Sequence, residues 1–425
     1  MFNLLRDYLE LPLPVRILCF GSFVNRAGSF VVIFLSIYAS EQLGFGVPFA
    51  TACIGVLGFG SMLGSMAGGM LADRVGRRSV MLVALFGGAT SLGLLSQVGN
   101  KWLFMLNVGL FAFVADLYRP AASAMIADLV DVSKRAHAFA LMYISINLGF
   151  AIAPPVGGLL AGYSFQYLFW LDALTMTAFG AIICCLIPET LPKRTRDGLE
   201  VEDLHGDGPD GKLLANNAND GRHVSWRAAF SRMKSDRAFL LFCLSTLLIG
   251  IVFVQGFSTL PLHLRKMGCS NIEFGLLMSI NGVLIFLMQL PMTHWLSRFN
   301  AMTMVLVGGI LISIGFGLTA ISGSIAFAGL CIAVWTIGEI FQAPFKQSIV
   351  SDMAPDEMRG NYMGLFTMCY ATALTIGAPL GGEVLHSLGP TVLWSGVFVV
   401  ALAAVAVYAG IHPVITRRIA AKPSL

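Results

Sequence analysis

The sequence predicts an all-α membrane protein with twelve transmembrane helices in two pseudo-symmetric six-helix bundles. Three observations predict this class: the high hydropathy of the chain, the placing of basic residues in alternate loops, and a repeat relating its two halves. The chain has 425 residues, 56% of them hydrophobic and 12% charged, and its mean hydropathy is +0.79. A soluble domain typically carries about 25% charged residues, so a soluble fold is excluded.

Apolar runs long enough to cross the hydrocarbon core of a bilayer recur along the whole chain. They predict helices 1 to 12 at 17–40, 48–72, 79–97, 102–130, 136–161, 166–187, 238–264, 272–295, 301–320, 325–350, 360–385 and 391–411. Residues 1–192 then form the N-terminal bundle and 238–425 the C-terminal bundle. The hydrophilic segment 193–237 predicts a cytoplasmic linker that ends in a short amphipathic helix on the membrane surface.

Basic residues collect on one side of this predicted topology. The opposite side carries only Lys101, Arg265 and Lys266. Because loops rich in lysine and arginine remain in the cytoplasm, both termini are predicted to be cytoplasmic. We therefore expect a multi-pass protein of the cell membrane, either inner or plasma. The basic loops are those containing Arg74–Arg78, Lys134–Arg135, 193–237, Arg298 and Arg359.

The two halves of the chain repeat with a constant offset of 224 residues. A single ungapped register that matches charges, prolines and a tryptophan is hard to obtain from apolar composition alone. Such a parallel repeat is typical of transporters built from two six-helix halves. The offset aligns Gly44 with Gly268, Arg74 with Arg298, Pro120 with Pro344, Asp128 with Asp352, Arg135 with Arg359, Pro155 with Pro379, and Trp170 with Trp394.

The loop between helices 2 and 3 carries the first motif, GMLADRVGRR at Gly69–Arg78. This pattern resembles the signature loop of the major facilitator superfamily, and every position of that motif is filled. The resemblance implies a secondary transporter that works by alternating access, with helices 1, 4, 7 and 10 lining a central cavity. In the second half, the copy Thr293–Met302 keeps Arg298 but has Ser297 where Asp73 stands.

The same resemblance implies a gate at the cytoplasmic ends of the helices. Helix 11 begins near Arg359, and the positive end of its dipole is a natural partner for Asp73. We expect several weak contacts to share the closing of this gate. The gate residues are Asp73, Arg74, Arg77, Asp128, Arg135, Asp352 and Arg359.

Helix 5 carries a second motif, GFAIAPPVGG at Gly149–Gly158, which resembles the G-x-x-x-G-P-x-x-G-G motif of drug–proton antiporters. Ala153 replaces the central glycine. Glycines let another helix approach closely and prolines bend the helix, although generic small-residue packing would use the same residues. The repeat predicts that helices 5 and 11 meet at these motifs. The residues are Gly149, Pro154, Pro155, Gly157 and Gly158, with Pro379, Gly381 and Gly382 in the copy.

Charges inside spanning helices are costly, so each one is a functional candidate. Asp116 and Arg119 in helix 4 are three residues apart and share a helix face, while Arg26 in helix 1 is an alternative partner for Asp116. A carboxylate held by a movable arginine can act as a proton switch. The alternative is a static ion pair that braces the N-terminal bundle. Asp172 in helix 6 and Glu383 in helix 11 are expected nearer the outer ends, in reach of water.

Helix 10 carries a predicted polar stripe of Glu339, Gln342 and Lys346, at spacings of three and four. The stripe could contact a polar substrate or brace the helix internally. One departure from the antiporter pattern is notable: those proteins carry an arginine followed by a glycine high in helix 4, where this chain has Asn107, Val108 and Gly109. The coupling residue is therefore not transferred from the family.

The combined prediction is proton-coupled efflux of amphiphilic small molecules or drugs. The alternatives are a carrier of one polar metabolite or siderophore, and a lipid flippase. We expect a monomer whose partners are its substrate, protons and the bilayer, with no nucleic acid. We expect no cofactor, with the proton gradient as the energy source, and no metal, because the eight cysteines form no C-x-x-C pair. The polar residues present no nucleophile–base constellation, which argues against an enzyme.

Overall fold

The computed structural model describes residues 11–190, 232–355 and 358–421, where twelve helices are long and apolar enough to cross a membrane. Each coincides with one predicted helix, and the last extends to Ala420. The predicted linker helix lies largely outside the described residues. The helices are α1 Leu13–Gln42, α2 Val47–Val75, α3 Arg77–Leu95, α4 Lys101–Leu129, α5 Val132–Tyr163, α6 Phe165–Leu186, α7 Arg237–Ser258, α8 Asn271–Leu296, α9 Ala301–Leu318, α10 Ile325–Met353, α11 Arg359–Ser387 and α12 Pro390–Ala420.

Two of these helices are discontinuous. α1 consists of Leu13–Ala27 and Val31–Ile37, and a π-helical turn at Tyr38–Gln42 ends it. α4 is interrupted between Ala115 and Tyr118. Irregular backbone at membrane depth is tolerated only where protein or a water-filled space surrounds it. The two interruptions therefore mark places where α1 and α4 face the interior of the molecule.

The helix contacts of the first half recur in the second. In the first half, α1 packs on α5 and α6, α2 packs on α4, and α3 packs on α4 and α6. In the second half, α7 packs on α11 and α12, α8 packs on α10, and α9 packs on α10 and α12. The six-helix bundles are thus two copies of one packing arrangement, as the 224-residue offset predicts. Gly44 and Gly268, which the offset aligns, both adopt positive φ in the turns after α1 and after the short helix Leu260–Lys266.

Two helix pairs, α2 with α11 and α5 with α8, form most of the contact between the bundles, and α1 adds a smaller contact with α7 and with the short helix Leu260–Lys266. Gly158 lies directly against the backbone of Asn271, and Gly382 against Thr51. The predicted contact between the helix 5 and helix 11 motifs is wrong, because each motif packs on a different helix of the opposite bundle. The repeat places the two motifs at equivalent positions around a pseudo-symmetry axis. Two equivalent helices contact each other only if both lie next to that axis.

The two bundles separate towards the side of the membrane where α1 begins and α12 ends, here called the terminal side; the other is the distal side. α2 meets α11 at Gly55 and Gly58. Beyond them Met70 of α2 is exposed, and no atom lies within 4 Å of a Cβ built at Gly360 or Gly364 of α11. Among the described residues, the cleft between the bundles is therefore closed on the distal side and open on the terminal side.

Candidate functional site

Asp116 and Arg119 form an ion pair at the interruption of α4, with 3.4 Å between Arg119 Nε and Asp116 Oδ1. The interruption ends one helical segment at Asp116, and the three-residue spacing brings both side chains to one face. The Asp116 side chain is 24% exposed and that of Arg119 is 70% exposed. Such an accessible pair opens at little cost, as a proton switch requires.

Arg26 stands at the end of the first segment of α1 and lies over the ring of Phe150 in α5, 5.6 Å from the ring centroid. Gly149 makes this approach possible, since a Cβ there would press on the backbone of Phe23 and on Arg26 Cβ. The Nε of Arg26 is buried without a hydrogen-bond partner among the described residues. Arg26 is not paired with Asp116, the alternative that the sequence left open, so its charge is available to another group.

Glu339 lies on the opposite bundle, in α10, and accepts a hydrogen bond of 2.9 Å from Asn281 Nδ2 of α8. The same amide contacts Thr336 Oγ1 at 3.2 Å. The residue after Asn281, Gly282, packs on Ala151 of α5. Glu339 therefore stands immediately behind the contact between α5 and α8, and within the described residues its carboxylate has no cationic partner closer than 4 Å.

The predicted polar stripe of α10 divides between different neighbours. Gln342 is 2% exposed and donates from Nε2 to the carbonyl of Val305 in α9, 2.9 Å away. It holds α9 against α10 rather than facing the cleft with Glu339. Lys346, also 2% exposed, places Nζ 5.7 Å from the ring centroid of Tyr408 in α12. Gln342 follows Glu339 by three residues, so its side chain points about 60° away around the helix axis. This difference is enough to direct it at another helix.

Aromatic rings connect the helices around the cleft on its distal side. Phe150 of α5 lies 6.3 Å from Phe257 of α7, measured between ring centroids. Phe253 follows at 5.9 Å from Phe257 and contacts Trp335 of α10 at 5.2 Å. Trp335 is four residues before Glu339, one helical turn towards the distal side. Arg26 and Glu339 thus lie at the two ends of a chain of rings, in which Phe150, Phe253 and Phe257 are half-buried and Trp335 is enclosed.

The predicted gate residues of the N-terminal half are close together on the terminal side. Arg77 contacts Asp73 at 3.5 Å and Asp128 at 3.0 Å. Thr190 donates to Asp128 at 2.9 Å, and Glu189 accepts from the backbone N–H groups of Arg77 and Arg78. In this terminal-side-open state the contacts of Asp73 therefore remain inside its own bundle, and Arg74 is exposed.

The other predicted gate residues lie at the corresponding helix ends. Arg135 donates from Nε to the carbonyl of Val130 at 3.2 Å. In the second half, Asp352 accepts from Ser348 at 3.1 Å, and Arg359 is the first residue of α11. The two sets thus occupy equivalent positions, as the repeat predicts.

A distal ion pair that sequence reasoning missed joins the bundles. Arg265 binds the carboxylate of Glu41 through Nε at 3.1 Å and Nη2 at 2.9 Å, and donates from Nη1 to the carbonyl of Cys269 at 2.8 Å. Asn271 adds a bond of 3.2 Å from Nδ2 to the carbonyl of Ala161. Glu41 and Arg265 are 224 residues apart, so the repeat itself could have identified them as equivalent positions of opposite charge.

The position of Asp172 also differs from the prediction. Asp172 is 3% exposed rather than in reach of water, and its Oδ2 accepts from the backbone N–H of Val31 at 3.3 Å. Depth along α6 was readable from the sequence, but the direction of the side chain depends on how α6 is rotated against α1. Glu383, by contrast, is exposed and accepts a hydrogen bond from Ser387.

Relatives of this chain are transporters. A Na(+), Li(+), K(+)/H(+) antiporter of Planococcus maritimus is 26% identical over 385 residues, which cover 84% of this chain and 86% of the relative. The multidrug resistance protein MdtH of Photorhabdus laumondii is 22% identical, with 86% of this chain and 85% of the relative covered.

Solved structures show the same fold. A POT family transporter in complex with 5-aminolevulinic acid matches with a TM-score of 0.76 at 16% identity, covering 96% of this chain and 99% of the other. The nucleoside transporter NupG matches with a TM-score of 0.69 at 16% identity, covering 94% of this chain and 98% of the other.

The family profile gives the assignment. The profile of the Major Facilitator Superfamily matches residues 18–378, which include the signature loop, the helix 5 motif, the discontinuous α4 and the interruption of α1. This chain is a multi-pass membrane transporter that belongs to the Major Facilitator Superfamily.

Proposed function

We propose that this protein is a proton-coupled antiporter that exports amphiphilic small molecules by alternating access. One observation carries the proposal: two intramembrane carboxylates, Asp116 and Glu339, stand in opposite bundles, and the cleft between those bundles is open on one side only among the described residues. Intramembrane acids are costly and mark proton or substrate paths. Because Asp116 has one exposed partner and Glu339 one neutral partner, both can exchange a proton as the cleft changes its side of opening.

The relatives support antiport more directly than they support a particular cargo. The Planococcus protein is named as a cation/proton antiporter and the Photorhabdus protein as a multidrug resistance protein. The half-buried rings of Phe150, Phe253 and Phe257, together with the carboxylate of Glu339, favour an amphiphilic organic cation, because a carboxylate and aromatic faces both attract such a molecule.

A carrier of one polar solute is the second candidate, and the pairing of Asn281 with Glu339 favours it. A fixed amide–carboxylate pair gives directional hydrogen bonding, which an enlarged apolar site for many drugs does not need. Lys346 does not extend this polar site, because it lies against Tyr408.

We infer further that the terminal side is the cytoplasm and that the protein works as a monomer in the cell membrane. The bias of lysine and arginine to the terminal side supports this orientation. In it, the described state is inward-open. The closing of the cytoplasmic gate then brings Asp73 towards the amino end of α11, where the helix dipole favours a negative charge.

A substrate panel tested under an imposed pH gradient separates the candidates. Purified protein in liposomes is offered ethidium, other lipophilic cations, neutral drugs, Na⁺, K⁺ and amino acids, with and without the gradient. Drug antiport predicts gradient-driven accumulation of several unrelated lipophilic cations. Accumulation of a single polar compound, with no response to the cations, would establish the second candidate instead.

Replacing Asp116 tests its role as a coupling acid. Asp116→Asn is expected to reduce gradient-driven accumulation by about tenfold or more, because the amide cannot bind and release a proton. Glu383→Gln is the matched control, since it removes an exposed carboxylate from another spanning helix. Equal activities of the two variants would remove Asp116 from the coupling mechanism.

A further inference from the structure

The interruption of α1 leaves part of its backbone without helical hydrogen bonds. Ser29 N donates to Arg26 O at 3.2 Å and Phe30 N to Gly28 O at 2.9 Å, so the chain turns sharply between Ala27 and Val31. At membrane depth there is little water to bind the N–H groups that the second segment leaves free. Another part of the protein must therefore supply an acceptor.

Helix α6 supplies that acceptor through Asp172. Asp172 Oδ2 accepts from Val31 N at 3.3 Å, and Thr175 Oγ1, one turn along, donates to the carbonyl of Asp172 at 2.9 Å. Gly28 lies directly against the Thr175 side chain, so α6 presses on the interruption itself. The carboxylate of α6 is thus the group that fixes the start of the outer segment of α1.

This carboxylate has no ion-pair partner in the described part of the chain. Arg26, which precedes the interruption and lies over Phe150, is the charged residue that acts on Asp172 electrostatically. The other helices that pack on α6 are α3 and α5. Their cationic side chains, Arg77 and Arg78 in α3 and Lys134, Arg135 and His137 in α5, are all at the terminal-side ends. The tyrosines whose rings contact rings of α6 are Tyr38 and Tyr118.

An unpaired, buried carboxylate is far more costly when charged than when neutral. The charged form accepts the Val31 N–H strongly, whereas the neutral form accepts it about half as strongly. Protonation of Asp172 therefore loosens the joint between the two segments of α1. Arg26 ends the segment that moves relative to this joint, so its position over the ring of Phe150 changes with the protonation of Asp172.

Building on the proposed function, we propose that Asp172 is a second proton-binding residue of the transport cycle, which positions Arg26 through the interruption of α1. One O–H bond forms at the carboxylate when water reaches the interruption and delivers a proton, and the same bond breaks when the proton returns to water on the other side. Asp172 acts through α1 and is a positioning residue rather than a substrate contact.

Hydrogen–deuterium exchange of the backbone amides tests the joint without any substrate. The exchange rate of peptide 28–33 is compared between wild type and Asp172→Asn in detergent, from mildly acidic to mildly alkaline pH. Taking the ratio at each pH cancels the intrinsic pH dependence of exchange. We expect equal rates at acidic pH and slower exchange in the wild type, by about tenfold, at alkaline pH. A ratio that is constant with pH would overturn the proposal.

An internal reference keeps the test decisive if Asp172→Asn does not fold. Within the wild type, peptide 28–33 is compared with residues 245–252 of the uninterrupted α7, which share the intrinsic pH dependence. We expect the ratio of the exchange rate of peptide 28–33 to that of residues 245–252 to be higher at acidic pH than at alkaline pH. Parallel behaviour of the two peptides would contradict the role of Asp172.

A transport measurement connects the joint to coupling. The ratio of gradient-driven accumulation to equilibrium exchange of the same compound is expected to fall about tenfold in Asp172→Asn. An unchanged ratio would remove Asp172 from coupling even if the amides respond to pH. If the wild type shows no gradient-driven transport at all, the proposed antiport fails, while the exchange experiment still reports on Asp172 independently.

Discussion

Single residues determine where charge lies in the cleft. The sequence predicted Arg26, Asp116 and Glu339 as intramembrane charges from their depth alone. In the structure they lie on helices of both bundles: Arg26 before the interruption of α1, Asp116 at that of α4, and Glu339 behind the contact between α5 and α8. The same reasoning misplaced Gln342 and Asp172. The depth of a residue in the membrane follows from counting along its helix, but the direction of its side chain depends on how the helix is rotated about its axis. That rotation is set by contacts such as Gly28 with Thr175, which hydropathy does not encode.

Glu339 is expected to select cationic substrates. In Glu339→Gln the side-chain oxygen can still accept from Asn281, so the fold should be retained while the negative charge is lost. A charge-assisted contact contributes about 1.5–3 kcal/mol, so the KM for a lipophilic cation should rise by roughly tenfold or more. The KM for a neutral drug, measured in the same liposomes, should change little. Equal increases for both compounds would contradict direct charge recognition.

At the scale of elements, glycines set how closely the bundles approach. Hydropathy predicted all twelve helices, and the 224-residue offset predicted their repeated arrangement. Neither predicted which helices join the bundles, because glycine and proline patterns in α5 and α11 are equivalent by symmetry. The partner of each helix is decided by backbone shape, as where Gly158 lies against Asn271 and Gly382 against Thr51.

Enlarging Gly158 should open the distal side of the cleft. In Gly158→Ala the added methyl group meets the backbone of Asn271 and forces α5 away from α8, which favours the outward-open state. Gly162→Ala is the matched control one turn later, where the nearest atoms of another helix are 3.9 Å from the added Cβ. The measurement is labelling of Cys269 by a membrane-impermeant maleimide applied from the distal side. Similar labelling rates in the two variants would show that Gly158 does not hold the closure.

Cys269 is a suitable reporter because it lies in the distal closure. It is buried beside Arg265, and burial raises the pKa of its thiol to about 11, which keeps it unreactive in the closed state. On opening, water reaches the thiol and its pKa falls towards the ordinary value, so the thiolate fraction and the labelling rate both rise. The exposed Cys184 and Cys185 are replaced by serine beforehand.

For the whole molecule, the state seen among the described residues depends on contacts between the bundles on the distal side. The Glu41–Arg265 pair holds the bundles together there, while the charges of Asp73 and Arg77 remain within the N-terminal bundle. Alternating access requires that these contacts be weak enough to exchange. Partly exposed ion pairs meet this requirement, because each contributes little and salt screens it.

Breaking the distal ion pair should shift the population towards the outward-open state. Glu41→Gln is expected to raise the rate of Cys269 labelling by a few-fold, in keeping with the modest free energy of a partly exposed pair, and high salt should raise the wild-type rate in the same direction. Glu383→Gln is the control: Glu383 is exposed on the same side, and among the described residues it bonds with Ser387 of its own helix. If both variants label at the wild-type rate, the pair is not part of the closure.

Proton movement driven by substrate tests the central claim most directly. Liposomes containing the protein, a trapped pH indicator and the compound transported in the panel are diluted into compound-free buffer at equal pH. Because coupling is reciprocal, antiport predicts that protons enter as the compound leaves, so the interior becomes acidic. Efflux of the compound with no pH change, or with an alkaline interior, would contradict proton-coupled antiport.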